Sequence, residues 1–115
     1  MRCTGCAAAW EELTSPLPAL PPKCACGAMA RPGVVWFGES LPGDVWAKAV
    51  DAVRSAELVF VVGTSSVVHP AAGLVPLAKS NGARVVEINI EDTPVTGLVD
   101  VSWKAPAAEA LPELL

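Results

Sequence analysis

The feature that most constrains the fold of this chain is an apolar segment that stops at a glycine. Leu58–Val62 is continuously apolar and rich in β-branched residues, which is typical of a strand buried on both faces. Gly63 allows a sharp turn, and residues 64–66 then bring hydroxyl groups to the carboxyl end of that strand. Ligands bind at this edge in open α/β sheets. Strand–glycine turns are common, however, so the segment alone is a weak indication of a nucleotide site.

A second polar segment is expected beside the first. Residues 71–80 follow a helical pattern and residues 84–88 form another strand, and a connection of this length makes a right-handed βαβ unit with parallel strands. Both strands then end at the same edge, which brings Asn89 and Glu91 close to Gly63. Taken singly, Asn89 is a turn residue and Glu91 a solvated loop carboxylate. Together with the hydroxyl groups they favour a nucleotide, because a carboxylate in this place commonly accepts hydrogen bonds from ribose.

The remaining segments complete an α/β fold. Residues 34–37 are predicted as a short strand, 99–103 as the last strand and 107–114 as a closing helix. Asp44 is expected to cap another helix, whose apolar residues recur at helical spacing on the face toward the sheet: Trp46, Ala49, Val50 and Val53. The predicted fold is a partial Rossmann-like parallel sheet with helices (residues 32–115), plus a small zinc-binding module (residues 1–31).

Two closely spaced cysteine pairs, Cys3-x-x-Cys6 and Cys24-x-Cys26, predict the metal in that module. Zinc is bound by soft ligands at the corners of a tetrahedron, and each pair supplies two corners. Because protein fills every position, the predicted zinc is structural. The alternatives are four unrelated thiols or a disulfide framework with three possible pairings. The absence of an export signal favours the metal.

The composition excludes several classes of function. The chain has 115 residues, a net charge of −4 and only eight scattered Lys and Arg, so no nucleic-acid-binding surface is expected. It is 52% hydrophobic but contains no uninterrupted apolar run long enough for a membrane span. The first residues lack the apolar region of a secretory signal. A cytoplasmic protein that binds neither nucleic acid nor membrane is therefore expected.

Taken together, these segments resemble the sirtuin family, the NAD-dependent protein-lysine deacylases. The matching pieces are the two cysteine pairs and residues 31–39, 63–72 and 88–91, in the same order along essentially the whole chain. The Trp-Phe-Gly-Glu segment at 36–39 is most similar to the branch of bacterial and mitochondrial desuccinylase-type enzymes. The resemblance implies a transferase of deacetylase or desuccinylase type, which moves an acyl group from lysine to the ADP-ribose part of NAD.

The resemblance also implies roles for individual residues. The NAD-binding residues would be Gly63, Thr64, Ser65, Asn89, Ile90, Glu91 and Ala107. The acyl-lysine side chain would lie in a tunnel along Val35 and Phe37. The substrate peptide would pair as an added strand with the backbone near four further residues: Gly38, Glu39, Val67 and Val68. The zinc ligands, remote from the chemistry, would be Cys3, Cys6, Cys24 and Cys26.

The chain lacks the segments that carry catalysis in the family. The glycine-rich phosphate loop and the histidine that precedes the first cysteine pair are missing, and the only histidine, His69, does not match that position. No catalytic residue is therefore assigned. We expect the carboxyl-terminal part of a sirtuin-like enzyme, inactive alone, whose exposed sheet edge requires the missing N-terminal half or an oligomeric partner. The alternatives are an inactive fragment that binds acylated peptides or a protein partner, and a zinc-ribbon interaction domain.

Overall fold

The structure, a computed structural model, describes residues 1–114, which belong to two compact units. The first unit is Met1–Leu41 and the second begins at Pro42. The boundary predicted between residues 31 and 32 falls inside the first unit, and that division of domains stays a prediction. Leu115, the last residue of the predicted second domain, lies outside the described residues.

A two-stranded antiparallel sheet organises the first unit. Strand β1 (Arg2–Cys3) pairs with β2 (Ala30–Arg31). The chain between them contains no helix over residues 7–23, as its prolines predict. This pairing brings the first cysteine pair toward the second across the proline-rich segment.

Residues 34–37 do not form the predicted short strand. A strand needs a neighbour to accept its ladder of hydrogen bonds, and this segment has no strand partner within residues 1–114. Backbone groups of this segment instead form hydrogen bonds with two side chains and one backbone hydrogen bond that closes a turn. The Trp36 N–H donates to the Glu39 carboxylate, the Val34 carbonyl accepts from Arg31, and the Glu39 N–H donates to the Trp36 carbonyl.

A parallel sheet forms the centre of the second unit. Its three strands lie in the order β3 (Leu58–Val62), β4 (Arg84–Asn89) and β5 (Val101–Lys104). The predicted α/β fold with a parallel sheet is confirmed. Strand β5 begins at Val101, two residues later than the predicted position 99. Asp100 bonds to Val85 partly through its side chain and not through backbone groups alone. Its own N–H donates to the Val85 carbonyl, while its carboxylate accepts from the Val85 N–H.

The first helix of this unit has the predicted faces but not the predicted cap. Helix α1 (Gly43–Ser55) begins after Pro42, and no side chain in the described part of the chain caps it. Asp44 therefore lies in the first turn, where a carboxylate still favours the positive end of the helix dipole. The predicted inward residues are all half-buried: Trp46, Ala49, Val50 and Val53.

The helix predicted over residues 71–80 ends where expected, but its first three residues form a 3₁₀ turn and the α-helix begins only at Leu74. A short 3₁₀ turn (Ala71–Gly73) leads into α2 (Leu74–Ser80). At its end Gly82 has a φ of 84°, and the Ala83 N–H donates to the Ala78 carbonyl. This pattern satisfies carbonyls that the helix leaves free. The closing helix is α3 (Ala107–Ala110), continued by a 3₁₀ turn (Leu111–Leu114) in which Pro112 lacks an N–H to extend the α-helix.

The core lies between the sheet and α2. Its buried members are Val61, Val75, Ala78, Ala83, Val85 and Val95. The prediction that β3 is buried on both faces is wrong for this chain. Val61 is buried, but Leu58 is 50% and Phe60 45% exposed, since β3 is an edge strand of the sheet in residues 1–114. The expected exposed apolar edge is thus confirmed. Across residues 1–114, no helix has both the length and the apolar character that crossing a bilayer requires.

Candidate functional site

The four cysteines form one cluster in the first unit. Their sulfur atoms all lie within 4.8 Å of one another, with 3.5 Å between Cys3 and Cys26 and 3.8 Å between Cys6 and Cys24. A tetrahedral zinc site with Zn–S bonds of about 2.3 Å places its sulfurs about 3.8 Å apart. All four cysteines are free, so the alternative of a disulfide framework finds no support. The spacing of the sulfurs fits zinc.

The electrostatics of the cluster also fit a cation. The backbone N–H of Gly5 lowers the pKa of Cys3, burial raises it, and the backbone N–H of Cys6 lowers it again. The net result is a pKa of about 6 for Cys3. At Cys6 the Ala8 N–H lowers the pKa, but the sulfurs of Cys3, Cys26 and Cys24 outweigh it and raise the pKa to about 12. Neighbouring thiols resist ionising together, and a bound divalent cation removes that conflict.

The turn within the first cysteine pair requires glycine at position 5 for a steric reason. A Cβ atom at Gly5 would lie 2.6 Å from the Cβ of Ala28, which is closer than two carbons can approach. The turn at Gly5 therefore packs directly against the segment that carries the second cysteine pair. The Gly5 and Cys6 N–H groups both donate to Cys3 Sγ, at 3.2 and 3.3 Å. These bonds orient a thiolate ligand before any metal arrives.

In the second unit, the loops after β3 and β4 meet at the carboxyl edge of the sheet, as the parallel order predicts. The Asn89 side-chain amide donates to the Thr64 carbonyl at 2.8 Å, and the Gly63 N–H donates to the Ile88 carbonyl at 3.0 Å. Asn89 Oδ1 in turn accepts from the Ile90 N–H at 2.9 Å. Asn89 therefore joins the two segments for which nucleotide contacts are predicted.

The turn after β3 has room and polar groups for a ligand. Gly63 has a φ of 61°, and a Cβ placed there would meet no atom within 4 Å, so the space above the turn is open. Ser66 is 8% exposed and its hydroxyl has no hydrogen-bond partner within residues 1–114. The exposed hydroxyl residues Thr64 and Ser65 flank this position. The turn thus fits the sugar and phosphate groups of a nucleotide.

The other residues predicted to contact NAD are spread more widely. Ile90 and Glu91 are exposed in the loop after β4, and Ala107 is the first residue of α3. An ion pair between Lys104 and Asp92 links the end of β5 to that loop. The binding roles of these residues stay predictions.

The residues predicted to contact peptide belong to both units. In the first unit Phe37 is 91% exposed, and Val35 and Gly38 are also exposed. The Glu39 carboxylate accepts from Arg2 and Arg31, each at 2.8 Å, and Arg31 stacks 3.9 Å above the Trp36 ring. Glu39 therefore holds this loop in place. Val67, Val68 and His69 are exposed in the second unit, and the cleft itself stays a prediction.

Glu87 is a polar residue that the strand pattern alone did not identify as important. It is fully buried in β4, beside Val61 of β3 and Ser102 of β5. Burial raises the pKa of Glu87, but hydroxyl groups of Thr93, Thr96 and Ser102 outweigh burial and hold it below its usual value. The available signal was a carboxylate between the apolar residues Val86 and Ile88, followed later in the chain by several hydroxyl residues.

Comparison with known proteins decides the family. The family model described as "Sir2 family" matches residues 1–70, which is more than half of the 115-residue chain. The chain belongs to the Sir2 family. This confirms the resemblance to sirtuins that the cysteine pairs and the sheet-edge segments indicated.

Known proteins are similar to this chain along nearly all of it. A protein of Aquifex aeolicus (strain VF5) named "NAD-dependent protein deacylase" is 51% identical over 112 residues, covering 96% of this chain and 47% of that protein. A solved Sir2 homolog–NAD complex has a TM-score of 0.91 and 45% identity, covering 98% of this chain and 44% of that one.

A solved complex described as Sir2, p53 peptide and NAD⁺ has a TM-score of 0.83 and 28% identity, covering 98% of this chain and 49% of that one. The chain thus spans about half the length of the curated relatives it matches.

Proposed function

We propose that the protein containing this chain is an NAD-dependent protein-lysine deacylase, of deacetylase or desuccinylase type, which transfers the acyl group from lysine to ADP-ribose. The observation that carries the proposal is the Asn89–Thr64 hydrogen bond, which joins the two polar loops at the sheet edge. It occurs in a chain that is 51% identical over 112 residues to a protein named "NAD-dependent protein deacylase". A cytoplasmic location is part of the same proposal.

In this proposal the chain supplies about half of the NAD pocket, and zinc supplies only structure. The Gly63 turn leaves open space for the dinucleotide, and the hydroxyls of Thr64 and Ser65 donate to its polar groups. Glu91 accepts hydrogen bonds from a ribose, as an acidic residue commonly does after the second strand of a βαβ unit. Ile90 and Ala107 complete the contacts.

We further propose that residues 1–115 do not turn over alone and that catalysis requires an N-terminal half or an oligomeric partner. The only histidine of the chain, His69, lies in the exposed loop before α2. A general base must lie within hydrogen-bond reach of the proton that it removes, and no position in this chain matches the catalytic histidine of sirtuins.

The test begins with the native chain. Its length is read from an immunoblot of the source cells, and the purified native protein is incubated with NAD and acetyl- or succinyl-lysine peptide. A native chain about twice as long as 115 residues, releasing nicotinamide and deacylated peptide, supports the proposal. Equal turnover by residues 1–115 alone would contradict the division of labour, and no turnover by the native protein would contradict the deacylase itself.

A second candidate function is binding of an acylated peptide without catalysis. It is favoured by the exposed apolar residues of the first unit, where Val34 is 55%, Trp36 51% and Phe37 91% exposed. Peptide affinity that does not depend on NAD, together with no turnover by the native protein, would favour this candidate.

A further inference from the structure

We propose that Glu87 is a positioning residue for the nucleotide: its buried carboxylate holds the loop of residues 90–98, and thereby Asn89 and Glu91, in the arrangement that receives ADP-ribose. This inference rests on the proposed function because it assumes that the loop contacts NAD. It adds a residue that touches no ligand and acts through the loop.

Hydroxyl groups surround the Glu87 carboxylate. One carboxylate oxygen accepts from the Thr93 hydroxyl, and the other accepts from Thr96 at 2.5 Å and from Ser102 at 3.2 Å. Thr93 and Thr96 belong to the loop, whereas Ser102 lies beside Glu87 on β5. One side chain therefore fastens the loop to two strands of the sheet.

The same hydroxyls pass the constraint on to the backbone of the loop. The Thr93 N–H donates to Thr96 Oγ1 at 2.8 Å, and the Val95 N–H donates to Thr93 Oγ1 at 3.3 Å. The Thr96 N–H closes a turn on the Thr93 carbonyl at 3.1 Å. Because the Thr93 and Thr96 hydroxyls each donate to Glu87 and accept from a backbone N–H, loss of the carboxylate frees these two hydroxyls to rotate. The loop turn then loses its support.

The anchored loop follows directly after the residue that joins the two polar segments. Asn89 follows Glu87 by two positions in β4, so both side chains lie on the same face of the sheet. Its amide donates to the Thr64 carbonyl, and its carbonyl accepts from the Ala105 N–H at 3.2 Å. Glu91 lies between Asn89 and the first anchored residue, Thr93. The path from the anchor to the proposed ribose contact is therefore short.

Stability alone does not account for a carboxylate at this position. Val85 and Ile88 in the same strand are fully buried and apolar, and an apolar residue at position 87 would avoid the desolvation of a charge. A carboxylate can instead accept from several hydroxyls at once and so fix one loop conformation. That property matters where a loop must present Glu91 in a defined place.

The test uses the full native chain that contains residues 1–115, as wild type and as Glu87→Gln, Thr93→Val and Thr93→Ser. Two quantities are measured: hydrogen exchange of the loop amides without ligand, and the Kd for ADP-ribose by calorimetry. Glu87→Gln replaces an acceptor oxygen with an NH₂ donor, and Thr93→Val removes the hydroxyl at constant shape. We expect both to speed exchange at Thr93, Val95 and Thr96 and to weaken ADP-ribose binding at least about tenfold. Thr93→Ser keeps the hydroxyl, so we expect it to retain the wild-type exchange rates and the wild-type Kd for ADP-ribose.

Two matched controls separate positioning from general destabilisation. Val53→Ala removes part of a side chain packed against the core, and Glu57→Gln removes an exposed carboxylate just before β3. Both are expected to keep the wild-type Kd for ADP-ribose. An unchanged Kd for ADP-ribose in Glu87→Gln would overturn the inference. A Kd in Thr93→Ser as weak as that of Thr93→Val would also overturn it. If the wild type itself does not bind ADP-ribose, the proposed function fails, and the exchange rates alone decide whether Glu87 holds the loop.

Discussion

At the scale of single residues, the cysteines show how local sequence prepares a site that the fold must complete. The two-residue gap in Cys3-x-x-Cys6 lets the Gly5 and Cys6 N–H groups both reach Cys3 Sγ. The sulfurs of Cys24 and Cys26 arrive only through the pairing of β1 with β2 and the contact of Gly5 with Ala28. Local sequence thus orients the first ligand, and the fold brings all four sulfurs within 4.8 Å of one another.

Substitution of Cys24 tests the zinc assignment. We expect Cys24→Ser to lower zinc affinity at least about a hundredfold, since loss of a direct ligand costs more than loss of its supporting hydrogen bonds. Bound zinc per chain, measured by mass spectrometry after dialysis, should fall from one toward zero. Ser40→Ala, at an exposed position of the same unit, should retain the metal. Full zinc retention by Cys24→Ser would contradict the assignment.

Ser66 carries two local costs that a glycine would remove. Its φ of 53° is in the left-handed region, and its buried hydroxyl has no partner in the part of the chain that the structure describes. We expect Ser66→Gly to raise the free energy of unfolding by about 1 kcal/mol, the relief of left-handed strain and desolvation exceeding the entropy cost of glycine. Ser66→Ala keeps the strain and should gain less. Urea denaturation measures both, and destabilisation by Ser66→Gly would refute this account.

At the scale of secondary-structure elements, side chains decide where the strands begin and how the helix docks. Asp100 connects three elements. Its carboxylate accepts from Lys79 of α2 at 2.7 Å and from the Val85 N–H of β4 at 2.7 Å, and it immediately precedes β5. The Lys79 hydrogen bond, followed by the Val85 N–H, holds the pKa of Asp100 below its usual value.

The pH dependence of stability tests this connection. A depressed pKa means that the stabilisation is present above the pKa of an unfolded aspartate, about 3.9, and is lost as the pH falls through the lower folded value. We expect Asp100→Asn to lower Tm at neutral pH and to lose less stability than wild type below about pH 4. Asp51→Asn, on the exposed face of α1, is the control. Parallel Tm curves for Asp100→Asn and wild type would contradict the prediction.

At the scale of the whole molecule, the sheet ends where an apolar strand is still exposed. Val59 and Val61 face the core, whereas Leu58 and Phe60 on the other face are about half exposed. Among residues 1–114, β3 has a strand neighbour on one side only, and an open strand edge promotes association with another strand. This surface agrees with a chain that spans about half the length of its relatives.

We therefore expect residues 1–115, prepared alone, to self-associate through β3. Phe60→Lys places a charge on the exposed face and should shift sedimentation toward the monomer, with a change in association constant of at least about tenfold. Lys48→Glu, on the outer face of α1, changes charge away from this edge and serves as control. A wild-type chain that stays monomeric at millimolar concentration would rule out the exposed edge as an association surface.

Sequence alone determined the features that depend on near neighbours. A continuous apolar run identified β3, helical spacing identified the inward face of α1, and the helical pattern over residues 71–80 identified where α2 ends. Their order also predicted parallel strands and the meeting of Asn89 with the Gly63 turn, because a short crossover has essentially one handedness. The cysteine spacing predicted the cluster in the same way.

Only the tertiary structure decided what depends on partners distant along the chain. Residues 34–37 have a strand-like sequence, but within residues 1–114 they have no neighbouring strand and bond to Arg31 and Glu39 instead. Glu87 looked like one polar residue in a strand until the fold placed Thr93, Thr96 and Ser102 around its carboxylate. Local pattern fixes backbone conformation through short-range sterics. Burial, pairing and the ionisation of Glu87 depend on which distant groups the folded chain brings within hydrogen-bond distance.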